Sequence, residues 1–291
     1  MTELLQQLVN GLVSGSFYAL LALGLSVIFG MLGVVNFAHG AFYMLGAVGA
    51  FVLLDTVGLS WWLALLVVPI ALGVLGMAFE RLLVARLVGL DPLYNFLLTF
   101  GIALILQDVV RLRYGVAAQP YSRPALLDGF VHFGLFDYPK YQVFVFAFSV
   151  VVSVLVWLAL TRTRVGVIVR ASTERPELTR ALGIDVRRWV TPVFGFGIAL
   201  AGLAGVLAAP MRAVNANMGA DLIIAIFAVV VIGGLGSVFG SVIAGYLVGM
   251  ITAVGNLYVP AFSQSLVFVL MALVLLLRPA GLFGREEGVP T

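Results

Sequence analysis

Residues 4–54, LLQQLVNGLVSGSFYALLALGLSVIFGMLGVVNFAHGAFYMLGAVGAFVLL, separate Glu3 from Asp55 without one formally charged side chain. A transmembrane helix needs about 20 apolar residues, so a stretch of this length has room for two crossings. Strands of a membrane barrel would alternate apolar and polar residues over about ten positions, whereas this stretch is continuously apolar. It therefore predicts two transmembrane helices.

The rest of the chain repeats this pattern. Of the 291 residues, 63% are hydrophobic and 10% are charged, which excludes an ordinary soluble domain, where about a quarter are charged. The absence of cysteine excludes disulfides, cysteine zinc sites and thiol nucleophiles. Reading each gap between charges as helix predicts an all-α polytopic membrane protein with about eight full spans and one short or broken segment. The predicted spans are 8–30, 36–54, 61–79, 92–110, 141–160, 190–209, 222–235 (the short one), 238–256 and 263–277.

Basic residues predict the orientation. Residues 162–188 hold seven arginines against three acids, which marks this loop as cytoplasmic. Counting crossings from that loop puts 111–140 outside and leaves the C-terminus inside only if 222–235 crosses fully. Four further polar residues are expected at an external mouth of the protein, although simple contact with solvent would explain their polarity equally well. These are Arg212, Asn215, Asn217 and Asp221.

The cytoplasmic loop contains the pattern of a short amphipathic helix between Arg170 and Asp185. Pro176 suits the first helical turn, Ser172 and Thr173 lie upstream as possible caps, and Gly183 suits the left-handed position after the last turn. Two interpretations remain open on composition alone. The helix either docks a cytosolic partner, or it is a solvated connector whose arginines set topology and contact anionic lipid.

Glycines cluster early, around Gly40, and late, in the run from Gly233 to Gly240. Small residues allow helices to approach closely, and glycine-interrupted segments in corresponding halves of a chain also indicate broken helices around a central site. The late cluster predicts a helix break or a packing site, and close packing alone would explain most of these residues. Its members are Gly233, Gly234, Gly236, Ser237 and Gly240.

Polar residues inside apolar segments are candidate functional residues, because an unpaired polar group is costly in hydrocarbon. Asn36 and His39 are two of them, and they either contact a substrate or bond to each other or to free backbone at a helix break. Asn95, Thr99 and Gln107 have offsets of four and eight, so they share about one face of a helix. These side chains are expected either to line a translocation path or to hydrogen-bond to a neighbouring helix.

Catalytic machinery is not visible. The sequence has no phosphate-binding Gly-x4-Gly-Lys-Ser/Thr motif, and its sole lysine is Lys140, so the chain is not expected to hydrolyse ATP itself. His132 has no second histidine nearby in sequence, so no metal site is expected. A membrane-embedded enzyme is therefore disfavoured against a transport component. A self-sufficient channel or facilitator stays open as an alternative.

Four segments carry a resemblance to a known family. They are Asn36-Phe-Ala-His-Gly-Ala-Phe-Tyr43, the loop from Arg170 to Asp185, Val231-Ile-Gly-Gly-Leu-Gly-Ser-Val-Phe-Gly240, and Leu277-Arg-Pro-Ala-Gly-Leu-Phe-Gly284. In these segments, and over nearly its whole length, the chain resembles the inner-membrane permease of branched-chain amino acid ABC importers, of the LivH type.

The resemblance implies a single transmembrane permease domain over 1–291, with the fold of ABC importer permeases, in a bacterial inner membrane. It implies a second, LivM-like permease as partner, two cytosolic ATPase subunits that use ATP and Mg, and a periplasmic substrate-binding protein, besides membrane lipid. No nucleic acid and no cofactor on this chain are expected. The implied substrate is a branched-chain or related amino acid, with amides, urea or aromatic carboxylates as alternatives within the same family.

The resemblance also implies roles for individual residues. The cytoplasmic loop corresponds to the coupling helix that docks into the ATPase, although it departs from the Glu-Ala-Ala form found in other ABC importers. The implied coupling residues are Glu174, Arg175, Pro176, Glu177, Arg180, Ala181, Leu182, Gly183 and Ile184. The implied translocation pathway comprises Asn36, His39, Gly40, Tyr43, Asn95 and Thr99.

Overall fold

A computed structural model describes residues 2–132, 134, 137–174 and 176–284. Within this part the chain is almost entirely helical, with one small hairpin of strands β1 (Phe130–His132) and β2 (Asp137–Pro139). The helices are α1 (Thr2–Leu32), α2 (His39–Asp55), α3 (Trp61–Leu82), α4 (Pro92–Tyr114), α5 (Lys140–Arg162), α6 (Arg164–Glu174), α7 (Pro176–Ala181), α8 (Arg187–Ala208), α9 (Ala220–Gly233), α10 (Val238–Tyr258) and α11 (Ser265–Leu277).

The described residues include six helices long and apolar enough to cross a membrane, and three shorter apolar ones, α2, α9 and α11. The all-helical membrane architecture is therefore confirmed, and the short segment lies where it was predicted. The full-length spans predicted at 36–54 and 263–277 are wrong in length. In the first, residues 33–38 are not helical, because backbone N–H groups in this segment bond to side chains instead of to helical carbonyl groups. In the second, a 3-10 turn at Pro260–Phe262 precedes α11, and Pro279 forces Arg278 out of helical geometry.

Helix α1 lies at the centre of the bundle, with 78% of its most apolar stretch buried. Its glycines meet the glycines of α10, since a Cβ on Gly11 would lie 2.7 Å from Met250 Cα and one on Gly249 would lie 2.4 Å from the oxygen of Gly11. By contrast, α4 has only 17% of its stretch buried. Large apolar side chains exposed on α3, α4 and α5 suit contact with lipid or with another membrane protein.

One end of the bundle gathers the loop after α4 and the loop after α8. Gln119 and Val214 exchange two backbone hydrogen bonds of 2.8 and 3.0 Å, which join these two loops. The Tyr141 hydroxyl donates to the oxygen of Leu207 at 2.8 Å. Burial raises the pKa of Tyr138 to about 12, so its phenol stays protonated and donates to Asn10 at 2.7 Å.

The opposite end gathers the 162–188 loop and the C-terminal segment. Val169 of α6 is buried in a cluster with Val27 of α1 and Val193 of α8, which fixes the loop to the bundle. The backbone N–H groups of Leu282 and Phe283 donate to the oxygens of Ile232 and Gly233, at 2.8 and 3.1 Å. Residues 278–284 therefore lie at the same end as the 162–188 loop.

Helices α2 and α8 are in contact at glycine residues, so we expect alanine to be tolerated less well at this contact than at a glycine with open space around it. A Cβ on Gly46 would lie 2.3 Å from the oxygen of Gly202, and backbone cannot yield as a flexible side chain does. We expect Gly46→Ala to destabilise the protein by about 1–3 kcal/mol, seen as a lower melting temperature in detergent. Gly101→Ala in α4 is the control, because no heavy atom lies within 4 Å of its Cβ position. Equal melting of the two variants would contradict this packing.

Candidate functional site

The chain breaks between α1 and α2, and side chains support the break. Gly33 adopts a φ of +68°, which ends α1. The Asn36 side-chain oxygen accepts from the N–H of Ala38 at 3.1 Å, and the Thr99 hydroxyl accepts from the N–H of Phe37 at 3.2 Å. Thr99 also donates to the oxygen of Asn95 at 2.9 Å. Asn36 thus bonds to free backbone at a helix break, one of the two alternatives for this residue.

His39 begins α2 and is fully buried. Its Nε2 lies 3.1 Å from the oxygen of Leu21, about halfway along α1. A carbonyl oxygen only accepts, so Nε2 carries the proton in this contact. Gly24 leaves room for the ring, because a Cβ there would lie 3.1 Å from His39 Cε1. The His39 ring therefore ties the start of α2 to the middle of α1, while the His39 backbone N–H donates to the backbone oxygen of Asn36 at 3.2 Å.

The N-termini of α2 and α9 meet in the middle of the bundle. A Cβ on Gly40 would lie 2.5 Å from the oxygen of Gly219, and one on Gly219 would lie 2.1 Å from the oxygen of Gly40. Among the described residues, nothing accepts from the N–H groups of Gly40, Ala41 and Ala220. Helix N-termini carry partial positive charge, so this junction brings two positive ends together.

A cleft opens beside this junction, between α2, α4 and α9. Met44 of α2, Phe100 and Leu104 of α4 and Ile223 of α9 are among the apolar residues that line it. The Phe37 ring packs against Phe96 with 4.9 Å between centroids. The expected polar face of α4 is divided in space, since Asn95 and Thr99 are buried at the helix break whereas Gln107 lines the cleft.

A polar cluster lies at the mouth of the cleft. Gln107 Nε2 donates to the side-chain oxygen of Asn217 at 2.6 Å, and Arg111 Nη2 donates to the same oxygen at 3.1 Å. Arg111 was missed as a site candidate, although its offset of four from Gln107 places both on one face of α4. Asn217 comes from a loop far along the chain, which helix spacing could not have paired with α4.

Tyr43 is buried between α1, α2 and α8, with its hydroxyl unpaired among the described residues. A Cβ on Gly205 would lie 2.1 Å from the backbone oxygen of Tyr43, so α2 and α8 are in close contact here. The exposed Arg212 lies within electrostatic range of Tyr43 and 5.7 Å from the centroid of the Phe17 ring. Tyr43 lies behind the cleft and does not line it.

The glycine cluster at 233–240 forms the turn between α9 and α10. Gly234 and Gly236 adopt φ values of +102° and +80°, which only glycine adopts readily. The Ser237 hydroxyl accepts from the N–H of Gly240 at 3.2 Å and caps α10. A Cβ on Gly233 would lie 2.5 Å from the carbonyl carbon of Gly240. The run is thus both a helix break and a close packing contact.

The 162–188 loop contains two helices rather than one. Pro176 starts α7 and Gly183 follows it with a φ of +80°, both as expected. The cap expected at Ser172 is wrong, because Ser172 lies inside α6 and its hydroxyl has no partner among the described residues. Arg175 and the side chains of Glu174, Pro176, Glu177 and Arg180 lie outside the described part of the structure.

The described side chains of α7 and the turn after it present apolar groups to the exterior. Leu182 is 75% exposed and Leu178 is 56% exposed. Ala181 and Gly183 are also exposed, and Ile184 is half-buried. Leu178 was missed as a coupling candidate, although its offset of four from Leu182 is visible in the sequence.

Comparison with known proteins identifies relatives of the full length of the chain. BraD of Pseudomonas aeruginosa, a high-affinity branched-chain amino acid transport system permease protein, is 34% identical over 97% of this chain and 96% of its own. LivH of Escherichia coli K12 is 30% identical over the same shares of both chains. LivM of Escherichia coli K12 is 28% identical over 91% of this chain and 67% of its own.

A solved structure of PsaBC from Streptococcus pneumoniae in complex with Fab superposes over 92% of this chain and 89% of that one, with a TM-score of 0.49 and 11% identity. The family described as the permease component of the branched-chain amino acid transport system matches residues 7–277. That range holds the interrupted helices, the cleft and the cytoplasmic loop. The chain therefore belongs to the family of branched-chain amino acid transport system permease components.

Proposed function

We propose that this chain is the transmembrane permease subunit of an ATP-driven importer in a bacterial inner membrane. It moves a branched-chain or related amino acid from a periplasmic binding protein to the cytoplasm by alternating access. The observation that carries the proposal is the family match over residues 7–277. The cleft at the meeting point of α2 and α9 supports it, since interrupted helices at mid-membrane are where transporters hold small polar substrates.

The driving energy enters through the cytoplasmic loop. Binding energy alone cannot drive uphill import, so a contact that differs between two states must couple the pore to ATP hydrolysis. Leu178 of α7 and Leu182 of the turn after it are exposed apolar side chains, which suit a groove on a cytosolic ATPase. Two such subunits bind ATP and Mg, and this chain hydrolyses none.

A second permease completes the pore. The likeness to LivM supports a LivM-like partner of similar fold. The low burial of α4 within this chain leaves one side of the cleft open, because Phe100 and Leu104 stay 44% and 46% exposed. A partner subunit that covers this side would turn the cleft into an enclosed path.

The pathway residues act in two groups. Gly40 lines the cleft directly. A larger residue at this position would not fit against Gly219. Asn36 and Thr99 hold the break before α2 through their side-chain hydrogen bonds, with Asn95 buried beside Thr99 in α4. The His39 ring fixes α2 to α1, and Tyr43 is buried behind the cleft. The second group shapes the path without touching the substrate.

ATP-dependent uptake tests the proposed function directly. The tagged chain is purified gently with its partners, which mass spectrometry identifies, and the complex is placed in proteoliposomes with its binding protein. We expect two ATPase chains and a second permease, and accumulation of labelled leucine only with ATP. Purification of the chain alone, with equal flux in the absence of ATP, would make it a facilitator.

Leu182→Asp is expected to release the ATPase subunits, because a charge on an apolar docking residue must be desolvated. The retained ATPase is measured by quantitative gel analysis of the purified complex, and uptake should fall with it. Leu126→Asp is the matched control, since Leu126 is 79% exposed in the loop after α4 at the opposite end of the bundle. Equal ATPase retention in both variants would contradict docking through α7.

Thr99→Val is expected to lower both stability and uptake, whereas Thr99→Ser should preserve them. Valine removes the acceptor of the Phe37 N–H and leaves that partly buried group unpaired, at a cost of about 1 kcal/mol. Melting temperature and initial uptake rate measure the two effects. Matching behaviour of the Val and Ser variants would show that this hydrogen bond does not support the path.

A further inference from the structure

The cluster at the mouth of the cleft pairs two donors, one of them charged, with a single neutral acceptor. Two donors, Gln107 Nε2 and Arg111 Nη2, share the single side-chain oxygen of Asn217. A carboxylate offers two oxygens and a negative charge, and hydrogen bonds between charged groups are about twice as strong as neutral ones. A carboxylate at this position would therefore be a better acceptor for both donors than Asn217 is.

The surroundings of these donors match the rest of an aliphatic α-amino acid. Gln107 lines the cleft, and Ala103 and Leu104 lie one turn below it on the same helix, opposite Ile223. These residues form apolar walls for a branched side chain. Asp108 Oδ1 lies 3.6 Å from Arg111 Nη1, so the cluster also holds a carboxylate that complements an ammonium group.

We infer that this cleft mouth is a substrate subsite in which the carboxylate of an aliphatic α-amino acid replaces Asn217 as the acceptor for Gln107 and Arg111. The inference rests on the proposed function and specifies its substrate chemistry. The aliphatic side chain enters the apolar cleft below. The unbonded N–H groups of Gly40 and Ala220 at the base of the cleft add positive potential on the same side.

Release of Asn217 also loosens a connection across the cleft. The Gln107–Asn217 hydrogen bond joins α4 to the loop between α8 and α9. The loop itself stays ordered when the side chain is released, because the Asn217 N–H donates to the side-chain oxygen of Asn215 at 2.9 Å. Arrival of the substrate thus removes a link over the mouth. Arg111 and Asp108 side chains are 45% and 66% exposed, so exchange at this subsite is rapid and binding is weak.

Protection of an introduced thiol tests the subsite without relying on transport. The chain has no cysteine, so Ala103→Cys places its only thiol in the cleft wall and keeps both donors. The complete transporter carrying this variant is placed in lipid nanodiscs and labelled with N-ethylmaleimide. L-leucine at about twice its dissociation constant is expected to slow labelling about threefold. Isopentylamine, which has the same branched chain and ammonium but no carboxylate, is expected to leave the rate unchanged.

Two second-site variants and one control complete the test. Gln107→Glu should abolish protection, because its carboxylate accepts from Arg111 and repels that of leucine. Asn217→Ala should retain protection, because it removes only the acceptor that the substrate displaces. Ala117→Cys, an exposed position in the neighbouring loop, should show none. Equal protection by isopentylamine, protection that survives Gln107→Glu, or protection lost in Asn217→Ala would overturn the inference.

The subsite and the proposed function fail in different ways. A complex that accumulates leucine with ATP but shows no protection at saturating leucine would overturn the subsite and leave the importer intact. Protection in a complex that never accumulates leucine would support the subsite and count against the importer.

Discussion

The contact between Gly40 and Gly219 holds two interrupted helices end to end in the middle of the bundle, and the other features of the site are arranged around it. With no side chain on either residue, the N-termini of α2 and α9 come within backbone contact. A break at this depth is tolerated in hydrocarbon only where protein groups satisfy the freed backbone. Asn36 and Thr99 satisfy part of it, and His39 ties the arrangement to α1.

This arrangement separates rigid from lightly packed parts of the chain. Helix α1 is enclosed by α8 and α10 through glycine contacts, whereas α4 touches the rest of the chain mainly beside α2. The cleft lies between these parts, and α6 of the 162–188 loop is fixed to the enclosed part through Val169. A force on this loop would therefore reach α1, α5 and α8 first, and the motion of these helices relative to α4 would change the cleft.

Much of this fold could be predicted from the spacing of charges, because charged side chains are excluded from hydrocarbon so strongly that their gaps mark the spans. The lengths of α2 and α11 could not, since no charged residue marks 36–38 or 263–264, while local hydrogen bonds and turns end the helices there. Pro176 and Gly183 were correctly placed at the ends of α7 because their backbone preferences are local. Ser172 failed as a cap because the preceding helix extends past it.

The site could be predicted only on one wall. Spacing of four and eight residues put Asn95, Thr99 and Gln107 on one face of α4, of which Gln107 lines the cleft, but the opposing wall is contributed by 216–223, more than a hundred residues away. Contacts of that separation depend on tertiary packing, which helix periodicity does not encode. The partner of His39, the backbone of Leu21, is invisible in sequence for the same reason.

A cryo-electron microscopy map of the complete transporter in nanodiscs, trapped with a hydrolysis-deficient ATPase and saturating leucine, would show where the substrate binds. We expect amino acid density in the cleft between α2, α4 and α9, with the second permease covering the open side. A cleft that faces the bilayer and contains a lipid acyl chain, with the path running elsewhere, would contradict this expectation.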